Sequence, residues 1–247
     1  VADFESFDSK SRTWKLKEGV VDSSPLSDTP RPGNAKFKKL TPVDPNSTNP
    51  YQLTEADRTV IGNTTPKFSG GFGLNATYKG FDMSMFFNFM YDFDVLNANK
   101  IMLTTWADNK ENNFLMDIAS DKRWRNFDDM GNEIRYSPEV LAEFNKNATM
   151  WNPTSIGRPI CMSYAVEDGS FLRLNSATVG YTLPSVWTKK VGLSKVRFYV
   201  SGNNLFTLTG YSGYDPEVNI ATGLTPNIDY NRYPRSRTYT FGAQLTF

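Results

Sequence analysis

Residues 237–247 constrain the fold more than any other part of the sequence. Their side chains alternate strictly: apolar residues at the odd positions from Tyr239 to Phe247 and small or polar residues between them. Successive side chains of a strand point to opposite faces, so this segment predicts a strand with one apolar and one polar face. A soluble sheet can use such a strand, but bacterial outer-membrane barrels present one face to lipid and the other to the lumen. The candidates for a barrel-assembly signal, with an ordinary strand end as the alternative, are Tyr239, Phe241, Leu245 and Phe247.

Residues 81–95 repeat this alternation over a length that is unusual for a soluble domain. One face of the predicted strand is an apolar and aromatic stripe that runs from Phe81 to Val95. Strands of globular proteins usually have about five or six residues, so a stripe this long predicts contact with a large apolar environment such as lipid. The opposite face carries Asp82, Asp92 and Asp94. We predict that these three side chains face the lumen of a barrel, with simple solvation as the alternative.

The composition excludes several functional classes but not a membrane protein. The 247 residues contain no His and a single Cys, which excludes Ser-His-Asp and Cys-His catalysis, His-containing metal sites and an intrachain disulfide. The net charge of +1 comes without a basic stripe, so nucleic-acid binding is not expected. The mean hydropathy of −0.48 argues against a transmembrane helix, yet barrel strands are only half apolar.

The acidic residues do not form a recognisable catalytic pair. Paired carboxylates are typical of glycoside hydrolases, in which a cleft raises the pKa of one acid. A row of aspartates on a strand face does not by itself indicate such a cleft. We therefore predict that the chain is not an enzyme, has no catalytic residue and uses no cofactor or metal.

The order of the segments predicts an all-β chain with two regions. Residues 1–65 contain repeated prolines and are interpreted as an extracellular loop or insert, and residues 66–247 as an antiparallel transmembrane β-barrel segment. The predicted strands are 67–79, 81–95, 170–183, 196–209 and 237–247. Short turns at 79–81 and 184–195 alternate with long, helix-containing loops at 96–169 and 210–236. Outer-membrane barrels combine short periplasmic turns with long extracellular loops in this way.

Five strands cannot close a barrel, because about eight is the smallest number commonly seen. The sequence also begins at Val1, with neither an initiator Met nor a signal peptide. We therefore expect the C-terminal piece of a longer polypeptide. Two alternatives remain: a truncated or split gene product completed by another chain, and a soluble glycan-binding or adhesive β-domain that would stay monodisperse without detergent.

Aromatic residues in the two long loops are candidates for binding a substrate or a partner. The tryptophans could stack on sugars, anchor a partner protein or pack the core of their own loop. The tyrosines suit polar ligands, with an interfacial aromatic belt as the alternative. The candidates are Trp106, Trp124 and Trp151 in the first long loop and Tyr211, Tyr214, Tyr230 and Tyr233 in the second.

A series of short motifs runs through nearly the whole chain. In chain order they are PGNAKFK at 32–38, DRTVIGN at 57–63, PKF at 66–68, YKGFD at 78–82, EDGSFLRL at 167–174, GYTLP at 180–184, SGNNLFT at 201–207, GYDPE at 213–217, and the segment from Tyr233 to Phe247. Each motif by itself is only moderately specific. Together, and in this order, they resemble the SusC/RagA class of TonB-dependent outer-membrane transporters of Bacteroides-type bacteria.

The resemblance implies a plugged barrel of about 22 strands, of which this chain would supply the C-terminal strands. It implies import of nutrient oligomers, mostly glycans and sometimes peptides, across the outer membrane of a Gram-negative, Bacteroides-type bacterium. The implied partners are TonB, which would deliver energy from the proton gradient, a SusD-like surface lipoprotein that caps the barrel, and the barrel-assembly machinery. The resemblance also suggests a dimer of transporter–lipoprotein pairs.

The chain departs from this family just before the DRTVIGN motif. Family members often carry an acidic stretch there that resembles a calcium loop. Here Asp44 and Asn46 remain, but the glycine is missing and prolines interrupt the segment. We therefore predict no calcium site in it.

Overall fold

The computed structural model describes residues 2–26, 29–105, 113–118, 121–156, 160–217 and 226–247. The chain divides into two compact units. The insert unit comprises Val1–Ile61 and Ala98–Ala165, and the sheet unit comprises Gly62–Asn97 and Val166–Phe247. Within the described residues, no helix combines the length and the apolar character needed to cross a membrane.

The longest elements are strands of the sheet unit. In chain order the strands are β1 (Phe4–Asp8), β2 (Thr13–Leu16), β3 (Phe68–Tyr78), β4 (Phe81–Tyr91), β5 (Asp94–Asn97), β6 (Val166–Asp168), β7 (Phe171–Thr182), β8 (Lys195–Thr209), β9 (Ile228–Asp229) and β10 (Thr238–Thr246). The helices are α1 (Ala98–Met102), α2 (Pro138–Phe144) and α3 (Ser185–Thr188). Single 3₁₀ turns occur at Glu55–Asp57, Met116–Ile118, Pro153–Ser155, Ser163–Ala165 and Lys189–Val191.

The long strands of the sheet unit form one five-stranded sheet in the order β10–β8–β7–β4–β3. Every neighbouring pair in this sheet is antiparallel. Between β3 and β4, Lys79 and Gly80 both have positive φ angles, 46° and 89°. Positive φ at both central residues is what a tight hairpin turn with the right twist requires. The all-β, antiparallel fold class predicted from the alternating segments is confirmed.

The long and the short connections of this sheet lie at opposite ends of it. At one end, Phe171 of β7 lies opposite Met90 of β4 and Thr209 of β8, and the two long connections start and finish there. At the other end, Phe81 pairs with Tyr181, and the short turns lie there. The strands β4 and β7 are therefore direct neighbours in the sheet, although 79 residues of chain separate Tyr91 from Phe171.

The single strand predicted over 81–95 is wrong in its length, because the chain turns at Asp92. β4 ends at Tyr91, Asp92 has a φ of 58°, and β5 begins at Asp94 in another sheet. A positive φ takes the backbone out of the extended region, so the strand cannot continue through this residue. Phe93 and Val95 were predicted on the apolar stripe but are buried, with 3% and 0% exposure.

These two side chains belong to the hydrophobic core of the sheet unit. Phe93 and Val95 pack with Phe171 and Tyr211, and Met90 lies against this cluster. Beside it, β5 pairs antiparallel with β6 and parallel with β9, which gives a small sheet in the order β6–β5–β9. This core lies at the end of the large sheet from which the long connections leave.

A β-bulge in β7 keeps the apolar residues of this strand on one face. Phe86 lies opposite Ser176 and Phe87 opposite Leu174, so Asn175 is an extra residue between them. The pairing of β7 with β8 shifts at the same place. Without a bulge, a period of two would put Leu174 on the face opposite to Ala177.

The insert unit is held at one point by the carboxylate of Asp57. It accepts hydrogen bonds from the backbone N–H groups of Leu40, Thr41 and Thr54 at 2.8–2.9 Å and pairs with the ammonium of Lys39 at 3.3 Å. The hydrogen bonds from Thr41 and the other donors hold the pKa of Asp57 far below its ordinary value. The side chain thus ties together two segments that are distant in sequence.

Candidate functional site

One face of the five-stranded sheet is apolar along every strand. Strand register places the following side chains on it: Phe68, Phe72, Leu74, Ala76 and Tyr78 in β3; Phe81, Met83, Met85, Phe87, Phe89 and Tyr91 in β4; Leu172, Leu174, Ala177, Val179 and Tyr181 in β7; Val196, Phe198 and Val200 in β8; and Tyr239, Phe241, Ala243 and Leu245 in β10. Many of these large side chains are exposed, and Phe241 is 77% exposed. Soluble monomers rarely expose a contiguous apolar surface of this extent, whereas a lipid-facing barrel wall requires it.

The opposite face of the same sheet is mostly polar, although Phe86 and Met90 also lie on it. Its polar and small residues are Ser69, Gly71, Gly73, Asn75 and Thr77 in β3; Asp82, Ser84 and Asn88 in β4; Ser176, Thr178, Gly180 and Thr182 in β7; Arg197, Tyr199, Ser201 and Asn203 in β8; and Thr238, Thr240, Gly242, Gln244 and Thr246 in β10. This arrangement of one apolar and one polar face is the one expected of a barrel wall with a polar lumen.

Asp82 lies on the polar face and forms a two-point ion pair with Arg197. The guanidinium donates to the carboxylate from Nε at 2.9 Å and from Nη2 at 2.5 Å. The strand β7 lies between these two residues, and Gly180 occupies the position opposite Asp82. A Cβ on Gly180 would lie 2.5–2.7 Å from the guanidinium, so the absence of a side chain is what lets Arg197 reach across.

Asp92 and Asp94 do not share this polar face, which corrects the grouping made from the sequence. Asp92 follows the end of β4 and pairs through its carboxylate with Lys67. Asp94 starts β5, and its carboxylate accepts a hydrogen bond from the backbone N–H of Asn63 at 2.6 Å. The turn at Asp92 separates both residues from the strand on which the sequence had placed them.

A buried charge network that sequence reasoning missed lies next to the core of the sheet unit. Arg173 of β7 is 2% exposed and donates to Asp215 at 2.5 Å. Glu217 lies 3.5 Å from Arg173 and pairs with Arg235 at 2.7 Å. The sequence did contain a signal for this network: an arginine stands between two leucines in an alternating strand. The network fastens the segment that follows β8 onto the polar face of the sheet.

The four candidate tyrosines do not form one group. Tyr211 is only 6% exposed and its hydroxyl donates to Asp229 at 2.7 Å, so it is a core residue and neither an aromatic belt nor a ligand contact. Burial and this hydrogen bond raise the pKa of Tyr211 far above its ordinary value. Tyr214, Tyr230 and Tyr233 are exposed, and their predicted role in binding stays a prediction.

Trp124 and Trp151 line the same cavity of the insert unit, whose volume is about 330 Å³. Trp124 packs against Gly33, where a Cβ would fall 2.2 Å from the indole ring. The Nε1–H of Trp151 donates to the backbone oxygen of Thr104 at 3.2 Å, and its ring contacts Tyr164 edge to face. Both contacts fit the alternative that these tryptophans pack their own unit. Trp106 lies outside the described residues.

The candidate assembly residues of the last strand all lie at an edge of the large sheet, because β10 pairs there with β8. Tyr239, Phe241 and Leu245 project from its apolar face, and Phe247, which follows the strand, is 90% exposed. Their recognition by an assembly machinery stays a prediction.

No group of three or more acidic or cysteine side chains is arranged to hold a metal ion among the residues that the structure describes. In the segment considered for calcium, the carboxylate of Asp44 accepts the backbone N–H of Asn46 at 2.9 Å. This local turn accounts for the orientation of Asp44.

No family model matches the chain. Among curated proteins, it is 35% identical over 202 residues to TonB-dependent receptor P3 of Formosa agariphila, which covers 79% of this chain and 18% of the relative. It is 28% identical over 250 residues to receptor P26 of the same organism, covering 95% of this chain and 22% of the relative. The TonB-dependent receptor SusC of Bacteroides thetaiotaomicron is 36% identical over 88 residues, covering 34% of this chain and 8% of that receptor.

Solved structures show the same fold. The RagAB peptide importer in its open-open state superimposes with a TM-score of 0.57 at 25% identity, over 82% of this chain and 20% of the importer chain. Another structure of the RagAB peptide transporter gives a TM-score of 0.55 at 24% identity, over 74% of this chain and 17% of that chain.

The chain spans about a fifth of the length of its receptor relatives P3 and P26, 18% and 22% respectively. These relatives are receptors and transporters rather than enzymes, in agreement with the prediction from the sequence. Its receptor relatives and its barrel-transporter fold identify the chain as a SusC/RagA-like fragment of a TonB-dependent receptor.

Proposed function

We propose that this chain forms C-terminal wall strands of an outer-membrane transporter that imports nutrient oligomers with energy delivered through TonB. The observation that carries this proposal is the five-stranded sheet, which has one uncovered apolar face and one polar face with a fixed ion pair. A soluble glycan-binding or adhesive domain would need to cover the apolar face.

The strand lengths support a wall that spans the membrane. β3 and β4 have 11 residues each and β10 has 9. A tilted transmembrane β-strand needs roughly 9–11 residues to cross the hydrocarbon layer. β7 and β8 are longer, with 12 and 15 residues, and would extend beyond this layer.

The positions of the long and short connections support an orientation of the sheet across the membrane. Both long connections leave from one end and both short turns lie at the other. In outer-membrane barrels the long connections are extracellular and the short turns periplasmic. We therefore assign residues 1–65, 96–169 and 210–236 to the outer rim and the turns at 79–81 and 184–195 to the periplasmic side.

Closure of the barrel requires strands beyond those of this chain. β3 and β10 are the two edges of the five-stranded sheet. An open edge in the membrane would leave backbone N–H and C=O groups without partners, at a cost of several kcal/mol each. We propose that the missing strands, about 22 in total with these, and a plug belong to the same polypeptide.

The proposed partners are TonB, a SusD-like surface lipoprotein and the barrel-assembly machinery. The proposed substrate is a glycan oligomer. A peptide substrate is the second candidate, since the RagAB structures of similar fold are named a peptide transporter and a peptide importer. The exposed Tyr214, Tyr230 and Tyr233 would lie on the outer rim, where a substrate or lipoprotein could reach them.

Cysteine labelling in the native membrane tests the wall. Cys161 is the single cysteine of this chain, so Cys161→Ser removes its native thiol, and labelling of this variant measures the background from the rest of the receptor. The adjacent variants Thr240→Cys and Phe241→Cys then place one thiol on each face of β10. We expect a water-soluble maleimide to label Thr240→Cys in intact membranes, and Phe241→Cys only after solubilisation. Equal labelling of both variants in membranes would contradict the wall and favour the soluble domain.

Uptake by cells tests the transport activity. Cells with and without the gene would be given labelled oligosaccharides or labelled peptides, each with and without a protonophore. Uptake that needs both the gene and the proton gradient supports a TonB-driven importer, and the labelled compound that enters identifies the substrate class. Uptake that does not depend on the gene would overturn the proposal. Purification of the receptor from the same cells shows whether a surface lipoprotein accompanies it.

A further inference from the structure

The short-turn end of the sheet unit carries exposed apolar and basic side chains together. Between β7 and β8, the helix α3 and the 3₁₀ turn Lys189–Val191 expose Val186, Trp187 and Val191, each by more than half. Lys189 and Lys190 lie in the same turn and are also exposed. We call these five residues the turn patch.

The other short turn adds to this surface. Lys79 lies between β3 and β4, and its ammonium sits 5.3 Å from the ring centre of Tyr78. At this end of the apolar face, strand register places the aromatic rings of Tyr78, Phe81 and Tyr181 side by side, and Phe247 follows β10. The turn patch follows β7 directly and so lies at the same end of the sheet as this aromatic margin.

The positive charge of this end is not neutralised by neighbouring side chains. The sequence contains no Asp or Glu from Gly169 to Tyr214. Asp82, the acidic residue of β4, is already paired with Arg197 on the polar face. Among the described residues, no ion pair involves Lys79, Lys189 or Lys190. Cationic and apolar side chains therefore lie at the same end of the sheet.

We infer that the turn patch binds the anionic headgroups of phospholipids in the membrane leaflet next to it. Lipid phosphates complement the lysines, and the acyl-chain boundary complements Trp187, Val186 and Val191. Tryptophan favours this interface because its ring is apolar and its N–H is polar. The inference goes beyond transport and rests on the proposed membrane wall, which the cysteine labelling tests separately.

A lipid surface fits these features better than a soluble anion does. A phosphate ion in solution would use the lysines but gain nothing from exposed valines and a tryptophan. Each lysine near an anionic membrane surface strengthens association by roughly fivefold, and salt screens this effect. The structure thus assigns both a lipid selectivity and a salt dependence to the short-turn end.

The test uses the full receptor reconstituted in two kinds of vesicle, phosphatidylcholine alone and phosphatidylcholine with phosphatidylglycerol. Native mass spectrometry of receptor released from each counts retained phosphatidylglycerol, and competition gives the preference over phosphatidylcholine. The variant is Lys189→Glu/Lys190→Glu. The matched control, Lys10→Glu/Lys38→Glu, makes the same change in charge at exposed lysines of the insert unit.

We expect the double variant to lose at least about tenfold of the preference for phosphatidylglycerol, while the control keeps it. High salt should reduce the preference of the unaltered receptor. An equal preference in variant and control, or a preference that salt does not change, would overturn the inference.

A second measurement places Trp187 without relying on charge. Lipids brominated on the acyl chain near the headgroup quench tryptophans at that depth. The quenched fluorescence should include a component that disappears in Trp187→Phe. If the unaltered receptor and Trp187→Phe are quenched alike, Trp187 does not lie in the interface and the inference fails.

Discussion

Asp82 and Arg197 are held together across an intervening strand, with two hydrogen bonds of 2.9 and 2.5 Å between their side chains. The contact passes over Gly180, where a Cβ would lie 2.5 Å from the guanidinium. It links β4 to β8, which are not neighbours in the sheet. On the polar face, the ion pair between Asp82 and Arg197 therefore connects β4 and β8 across β7, and Gly180 leaves the space for it.

Replacement of the arginine tests the contribution of this ion pair to stability. Arg197→Gln should lower the free energy of unfolding by about 1–2 kcal/mol, because Asp82 loses charged hydrogen bonds on a face that stays partly exposed. Unfolding in urea, followed by tryptophan fluorescence in detergent micelles, measures the change. The control is Gln244→Ala, at the position opposite Arg197 in β10. A loss no larger than that of the control would show that the ion pair adds little.

A positive charge should destabilise the protein on one face of β10 and have little effect on the other. Phe241→Arg puts a cation on the apolar face and should reduce folding stability in lipid vesicles by about 2–4 kcal/mol. Thr240→Arg puts the same group on the polar face, where water can solvate it, and should change stability little. Equal losses for the two variants would contradict the assignment of the faces.

The buried arginine of β7 should depend strongly on its acidic partner. Asp215→Ala leaves the guanidinium of Arg173 buried without its shortest ion pair and should cost about 3–5 kcal/mol. The segment after Tyr211 should also become more sensitive to protease, because Asp215 fastens it to the sheet. The double variant Arg173→Met/Asp215→Leu removes both charges and should recover much of the loss. If the double variant is as unstable as the single one, the effect is due to packing and not to an unpaired charge.

The insert unit should lose stability in acid through Asp57. The folded state lowers the pKa of the Asp57 carboxyl. As the pH falls below about 4, the unfolded state therefore binds a proton before the folded state does, and the free energy of unfolding decreases. In the Asp57→Asn variant this part of the pH dependence should disappear. Hydrogen exchange at the Leu40 and Thr41 amides, compared between the two proteins at each pH, measures it.

At neutral pH those amides should exchange faster in Asp57→Asn than in the unaltered protein, and the difference should shrink at pH values below 4. Asp128 offers a control, because its pKa is also lowered, first by the side chain of Asn132, in a separate turn of the insert unit. A difference at Leu40 that persists unchanged in acid would show that charge on Asp57 is not the cause.

The alternation of side chains allowed the large sheet to be predicted, because a period of two is a local property of the chain. The segment 170–183, for example, coincides closely with the observed strand β7, Phe171–Thr182. The extra residue Asn175 could not be predicted in the same way, since a bulge is defined only by the partner strand. The predicted length of the strand from Phe81 was wrong for a similar reason: at the turn, the backbone N–H of Asp92 donates to Ser170, a residue 78 positions away that the local pattern does not reveal.

For the candidate site, the sequence separated the two faces of the last strand correctly but could not group residues from different strands. Asp82 and Arg197 are 115 positions apart, and Arg173 and Asp215 are 42 apart. Tyr211 and Tyr214 look equivalent in the chain, yet one is in the core and the other is exposed. Composition and alternation by themselves determined an all-β chain with one face for lipid, because side-chain direction follows from the backbone of a single strand. Only the tertiary structure decided which charges meet and which aromatic rings are buried, because those contacts depend on how distant strands are aligned.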